Sequence, residues 1–413
     1  MRGWKKWSRA VFPCLQKLEI RDCPNLVEVT LEALPSLNVL ILRTCDSGVL
    51  RRLVEVASAV TKLEIRDISG LNDEVWGGVI EYLGAVEELV ILECNEIRYL
   101  VKSDADASKI LVKLRKLEVW ECDNMVSCSC PDGIEELDFH NCSSIEVVWF
   151  PKGGQEKLRS LRIWNGRNLL EKEWEWRGQK MNRRSSMPML EHLRIYNWPN
   201  LKSIIELNCL VHLTTLIIYD CENLESFPDT LTSLKKLKTL GVSKCPKLDV
   251  CFLPGWVWPP TLQILIIGKL KKPFSEWGPQ TLPTSLVGLS LYGDGEDGAG
   301  SCSQFSHILP SSLPSLEIHE FEKLESFSVE LQHLQSLSFF NCPNLKKVCS
   351  QPQHLTSLHH LTFLYCPKMM DLPELLLPSL LRLRIWGDCP VKERCSKKGS
   401  YWPLISHIPC LDI

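Results

Sequence analysis

Cys122, Cys128, Cys130, His140 and Cys142 gather thiols and an imidazole into about twenty residues, the side chains from which zinc sites are made. Zinc takes four convergent ligands, commonly with paired C-x-x-C spacing, and Cys128-Ser129-Cys130 supplies only C-x-C. Cys122 and Cys142 also recur in a structural slot, so no metal is expected. A second run, Gly293-Asp-Gly-Glu-Asp-Gly298, has the G-x-G-x-x-G spacing of a dinucleotide-binding turn. That turn must open a helix, but Ala299-Gly300-Ser301-Cys302-Ser303 follows, and three carboxylates in the run would repel a pyrophosphate. Its spacing does not match a calcium loop either, which leaves a solvated insertion. Neither G-x-S-x-G nor H-E-x-x-H occurs. The expectation is a non-enzymatic chain that needs no cofactor.

What positions these residues is a repeat. In Leu334-Gln-Ser-Leu337-Ser-Phe339-Phe340-Asn341-Cys342-Pro343-Asn344-Leu345, Leu337 and Phe339 lie two apart and share one face of an extended segment. Ser336, Ser338 and Phe340 take the other face, Cys342 sits where the chain leaves the strand, and Leu345 returns to the dry side. The first strand leucine recurs at Leu18, Leu40, Leu63, Leu89, Leu117, Leu137, Leu161, Leu193, Leu216, Leu240, Leu265, Leu289, Leu316, Leu337, Leu361 and Leu383. The mean spacing of about 24 residues lies inside the range of leucine-rich repeats. One unit buries about six side chains at about 2 kcal/mol each, against at least about 24 kcal/mol of backbone entropy, so copies must stack. The expected fold is an α/β solenoid, a leucine-rich repeat horseshoe of about 16 repeats. Its parallel concave β-sheet would extend about 70 Å along its arc, and its convex connections would be irregular and mostly non-helical.

Cys23, Cys45, Cys94, Cys122, Cys142, Cys221, Cys245, Cys342 and Cys366 share one slot, which Cys389 misses by one residue. Ile68, Gly166, Trp198, Leu270, Asp294, Phe321 and Asp388 hold it elsewhere. Nineteen cysteines, an odd number in a long chain with no signal peptide, read as reduced, buried small residues rather than a secreted framework. The sequon Asn141-Cys142-Ser143 falls inside a repeat core, against glycosylation. With 47 basic and 50 acidic residues, the net charge of −3 gives no reason to expect nucleic acid or a membrane surface as partner. No apolar run is long enough to span a bilayer, so a cytoplasmic location is expected, a nuclear one being also compatible.

Three regions follow: 1–14, a remnant N-terminal linker with Trp4, Trp7 and Phe12; 15–388, the repeat array; and 389–413, a C-terminal cap with Trp402, Pro403, Leu404, Ile405 and Ile408. The thin cover over the first strand suggests an array cut from something longer. Four connections are longer or unusual: Val101 to Ile110; Leu170 to Pro188 with Trp174, Trp176 and Arg183-Arg184; Pro254 to Pro260; and the acidic Gly293 to Gly300. Such insertions are plain loops or contact loops.

The functional signal lies in positions the fold does not need. The outward slot after the second buried strand residue holds Trp120, His140, Trp164, Tyr196 and Tyr219 in successive repeats, then Tyr292, His319, Phe340 and Trp386. Aromatics there either form a protein-binding surface or pack sideways and cover the sheet. Charge on the same face shifts from Glu88, Glu93, Glu118, Glu121, Glu136 and Asp138, offset by Lys116, to Arg162, His192 and Arg194, and ends on Arg382 and Arg384.

The recurring L-x-x-L-x-I-x-x-C-P-x-L, as in Leu15 to Leu26, resembles the leucine-rich repeat region of plant intracellular nucleotide-binding immune receptors, the disease-resistance class. Cys389-Pro-Val-Lys-Glu-Arg-Cys395, followed by Lys397-Lys-Gly-Ser-Tyr-Trp-Pro-Leu-Ile-Ser-His-Ile-Pro409, is similar to the C-terminal signature of the coiled-coil branch. Trp4 and Trp7 ahead of Phe12-Pro13 resemble a Trp-containing linker of that family, echoed by Met187-Pro188-Met189-Leu190. The resemblance implies a recognition domain whose partner is a pathogen effector or a host protein, and which restrains its own nucleotide-binding domain. No G-x-x-x-x-G-K-[ST] occurs, so ATP binding and signalling are not carried over. The alternatives are the substrate adaptor of a ubiquitin ligase and a truncated, non-signalling fragment.

Overall fold

The computed structural model describes residues 5–101, 104–149, 154–167, 187–204, 207, 210–228, 231–250, 256–278, 282–293, 305–348 and 354–413. Trp4, Trp174, Trp176, Arg183, Arg184, Asp294 and the glycine-rich run beyond Gly293 lie outside them. The chain divides into two compact units, Met1–Leu213 and Thr214–Ile413.

The first unit carries β1 (Lys17–Cys23), β2 (Val39–Asp46), β3 (Lys62–Ser69), β4 (Glu88–Leu92), β5 (Lys116–Trp120), β6 (Glu136–His140), β7 (Ser160–Trp164) and β8 (His192–Tyr196). Each pairs with the next in parallel, and the register sets marker leucine against marker leucine from Leu18 to Leu193. The second unit carries β9 (Thr215–Tyr219), β10 (Thr239–Cys245), β11 (Ile264–Leu270), β12 (Gly288–Tyr292), β13 (Ser315–His319), β14 (Ser336–Phe340), β15 (His360–Leu364), β16 (Arg382–Trp386) and β17 (Cys410–Asp412). Its register runs from Leu216 to Leu383 and on to Leu411. All markers except Leu18 are buried. The fold is that of leucine-rich repeats, as the spacing requires.

The repeat consensus has a local cause. Leu345 donates its N–H to Cys342 O at 3.3 Å, closing a four-residue turn in which Pro343 takes the position that its fixed φ suits. The same turn follows Cys23, Cys122, Cys142, Cys221, Cys245 and Cys366. Each of these thiols points inward and donates to a carbonyl of its own strand end, Cys23 to Arg21 O at 3.3 Å and Cys122 to Trp120 O at 3.4 Å. A small buried donor is what this corner needs. All fifteen described cysteines are unbridged. At the last turn the expected assignment is corrected: Asp388 is exposed, and Cys389 takes the buried place and donates to Trp386 O at 3.4 Å. One slot earlier the backbone turns left-handed, from Asp22 (φ 53°) to Tyr365 (φ 54°), a repeating feature that the sequence reading missed.

Among the described residues, three connections in the first unit are helical: α1 (Ser47–Val56), α2 (Asp73–Ile80) and α3 (Asp104–Ile110). Asp46 caps α1 by accepting from Gly48 N at 2.8 Å, and Asn72 caps α2 by accepting from Glu74 N and Val75 N. Val49, Leu50, Leu53 and Val54 form the buried stripe of α1. Two short helices, α4 (Val391–Arg394) and α5 (Trp402–Ile405), lie between β16 and β17, and the other described connections include turns, short 3₁₀ segments and two-stranded pairs such as Ser127–Ser129 with Val147–Trp149.

At the termini, Lys6–Ala10 forms a strand parallel to Glu28–Leu31 within the segment expected as linker. In the C-terminal segment, Val391, Cys395, Tyr401, Ile405 and Ile408 are buried, whereas Leu404 is exposed. β17 then adds one strand beyond the expected sixteen.

Candidate protein-binding face

Alternation on each strand sends every second side chain outward, and register places like slots side by side. In the first unit Trp120, His140, Trp164 and Tyr196 stand in one row. Trp120 stacks on His140 (centroids 4.8 Å, planes 21° apart), His140 packs tilted against Trp164 (5.1 Å, 34°) and Trp164 stacks on Tyr196 (4.6 Å, 23°). Trp164 remains 40% exposed, and the other three are half-buried by their neighbours. Rings at this spacing stabilise one another and also present a continuous apolar ridge.

Behind the ridge runs a ladder of amides. Asn165 Nδ2 donates to Asn141 Oδ1, and Asn197 Nδ2 donates to Asn165 Oδ1. All three residues are left-handed (φ 50–59°), a conformation that asparagine tolerates. Their recurrence directly after the aromatic slot was the available signal. The same outward slot holds Arg21, Arg43 and Arg66 in β1 to β3, a basic row that the aromatic reading passed over.

In the second unit Tyr219, Tyr292, His319 and Phe340 come together, although Ser243 and Gly268 occupy the slot between the two tyrosines. Tyr219 and Tyr292 lean across these small residues and meet edge to face at 5.7 Å. Tyr292 stacks on His319 at 4.5 Å, and His319 on Phe340 at 4.5 Å. Lys244 Nζ lies 4.9 Å from the Tyr219 centroid and 5.8 Å from that of Tyr292. Burial opposes the Lys244 charge, but Glu320 at 2.8 Å and the Tyr219 hydroxyl hold its ammonium protonated beyond its usual range. The hydrogen bond to His319 holds the Glu317 carboxyl below the usual carboxylate range. Trp386 does not join the row: Leu364 separates it from Phe340, and its Nε1 donates to Asp412 Oδ1 at 2.8 Å.

Ion pairs between neighbouring strands largely cancel the charge bands. Glu88 pairs with Lys62 at 2.8 Å, Glu93 with Arg66, Asp138 with Arg162 at 2.8 Å and Arg384 with Asp412 at 3.0 Å. Lys116 reaches Glu118 at 2.9 Å and Glu136 at 3.6 Å. Burial pushes the Asp138 carboxyl above the usual carboxylate range, against the pull of Arg162.

The cysteines and histidine of the opening cluster part company. Cys122, Cys128, Cys130 and Cys142 are buried, whereas His140 stands in the outward row. Among the described residues, no three His, Cys, Asp or Glu side chains converge as metal ligands. No helix among them is long and apolar enough to cross a membrane.

A leucine-rich repeat domain is the class that this register defines. A family model described as Zer-1-like, leucine-rich repeats, matches residues 183–254. Comparison with curated proteins finds no match. Among solved structures the chain is similar to a leucine-rich repeat protein of Leptospira interrogans, at 16% identity over 92% of this chain and 90% of that one, with a TM-score of 0.45. A plant peptide hormone receptor, RGFR1 in complex with RGF2, matches at 13% identity over 99% and 88%, with a TM-score of 0.26. A leucine-rich repeat protein of Bacteroides ovatus matches at 14% identity over 73% and 69%, with a TM-score of 0.18.

Proposed function

We propose that the chain is an intracellular protein-recognition domain that binds its partner on the outward face of the sheet, through the ring stacks. The observation that carries this is the ridge Trp120–His140–Trp164–Tyr196, with Trp164 40% exposed at its centre. Large stacked rings lose little rotamer freedom on binding and are enriched where interface energy concentrates. With the Cys389 to Pro409 signature, the reading becomes the recognition region of a plant disease-resistance receptor. It would bind a pathogen effector or host protein and restrain the nucleotide-binding domain of the intact receptor. The test is Trp164→Ala with Tyr196→Ala, folding verified by circular dichroism. Loss of about 2 kcal/mol, or about 30-fold in partner affinity, is expected, and unchanged affinity refutes the face.

The Zer-1-like match over residues 183–254 favours a second reading, the substrate adaptor of a ubiquitin ligase. Co-precipitation separates the two: a ligase scaffold held in stoichiometric amount supports the adaptor, and a nucleotide-binding domain supports the receptor.

A further inference from the structure

On the outward face of β5 to β7 in the first unit, a partly open cavity of about 100 Å³ is lined by Lys116, Glu118, Glu136, Asp138, Ser160 and Arg162. Its charges do not balance. Glu118 and Glu136 share Lys116, and Asp138 pairs with Arg162, so among the residues lining the cavity three carboxylates face two cations. The deficit concentrates on one atom. Asp138 Oδ2 accepts from Arg162 at 2.8 Å, while Asp138 Oδ1 is buried with no hydrogen-bond partner. His140 Nδ1 and Trp120 Nε1, in the outward row of the same strands, are likewise buried and unpartnered. An unfilled buried acceptor of this kind carries an uncompensated desolvation penalty, larger when charged, which a ligand donor would recover.

We infer that this cavity receives a basic side chain of the protein partner, an arginine or a lysine, with its head at Asp138 and its aliphatic stem along the Trp120–His140–Trp164 ridge. One added cation balances the three carboxylates, an N–H donor fills Asp138 Oδ1, and the ring faces offer the π surface that cations favour. His140 Nδ1, buried and unpartnered, is a further polar atom of the same strand as Asp138. The Asp138 carboxyl, pushed up by burial, is then held ionised by its ligand.

The inference rests on the reading of the outward face as an interface, but its test needs no partner. The intact chain, labelled with 5-fluorotryptophan, is titrated with Nα-acetyl-arginine amide, Nα-acetyl-lysine amide and the neutral isostere Nα-acetyl-citrulline amide. Fluorine resonances of Trp120 and Trp164 are assigned through Trp120→Phe and Trp164→Phe. Saturable shifts of both resonances are expected with the two cations, with citrulline at least tenfold weaker. Asp138→Asn and Glu118→Gln should each weaken arginine amide by about tenfold while leaving the circular dichroism unchanged. Absence of saturation, equal binding of citrulline, or unchanged affinity in both variants overturns the basic-side-chain site. Those results leave the aromatic face to its own test, since Trp164→Ala with Tyr196→Ala reads the partner and not the amide.

Discussion

Gly268 is the residue on which the second ring stack depends, and its replacement by alanine has a calculable cost. At Gly268 φ is +134°, and an added Cβ would lie 2.0 Å from Tyr292 O and 2.8 Å from both Tyr292 C and Tyr292 N. These are backbone atoms in the paired strand β12, so no rotamer relieves the contact. Restoring at least 3.0 Å requires a separation of about 1 Å between β11 and β12, enough to break about two ladder hydrogen bonds at about 1 kcal/mol each. Adding about 1–3 kcal/mol for the strained backbone gives about 3–5 kcal/mol in total. Gly387→Ala is the matched comparison. There φ is +71° and the Cβ would meet the Tyr365 ring at 2.3 Å, but that ring is 55% exposed and free to swing aside. Only the left-handed penalty of about 1–2 kcal/mol remains. Urea unfolding followed by circular dichroism should therefore separate the variants by about 2 kcal/mol, with faster amide exchange in Gly288–Tyr292 for Gly268→Ala alone. Equal losses, or a Gly268→Ala cost below about 1 kcal/mol, would refute the argument from backbone approach.

The amide ladder predicts that Asn165→Gly, which keeps the left-handed turn and loses two hydrogen bonds, costs about 2 kcal/mol, and that Asn165→Ala costs about 1 kcal/mol more; chemical denaturation of both variants should show that order. Burial pushes Cys45 up to about 12, and Cys94 and Cys142 each to about 11, from an ordinary value of 9.0. These thiols keep their protons in the folded chain and lose them on unfolding above pH 9, so their contribution is full below that pH and falls as pH rises toward 12. The urea midpoint should drop between pH 9 and 11, and Cys45→Ala should shallow that drop; a flat profile would count against the buried thiols. At pH 8 iodoacetamide should label exposed Cys14 before any slot cysteine, a difference that peptide mass analysis reads directly.

Much of the candidate face was legible because a parallel repeat converts sequence spacing into spatial order. Once the marker leucines are aligned, period-two alternation determines which side chains point outward, and register makes Trp120, His140, Trp164 and Tyr196 neighbours. The Cys389 place was less legible, because it depends on the left-handed Gly387, one residue of backbone that leucine spacing does not record. The caps of α1 and α2 were present as Asp46 and Asn72, but a single capping residue does not distinguish a helix start from a turn, which the same residue types favour.

By itself the sequence determined the repeat, its register and the buried slot of the cysteines, since each follows from hydrophobic spacing along one strand and its copies. Only the tertiary structure decided how side chains from different strands meet. It brought Tyr219 to Tyr292 across Ser243 and Gly268, neutralised Glu88, Glu93 and Arg384 with partners on neighbouring strands, and left Asp138 Oδ1 without one. The physical reason is range: alternation acts within a strand, whereas ring contacts and charge balance are set by side-chain reach between strands, which no spacing encodes.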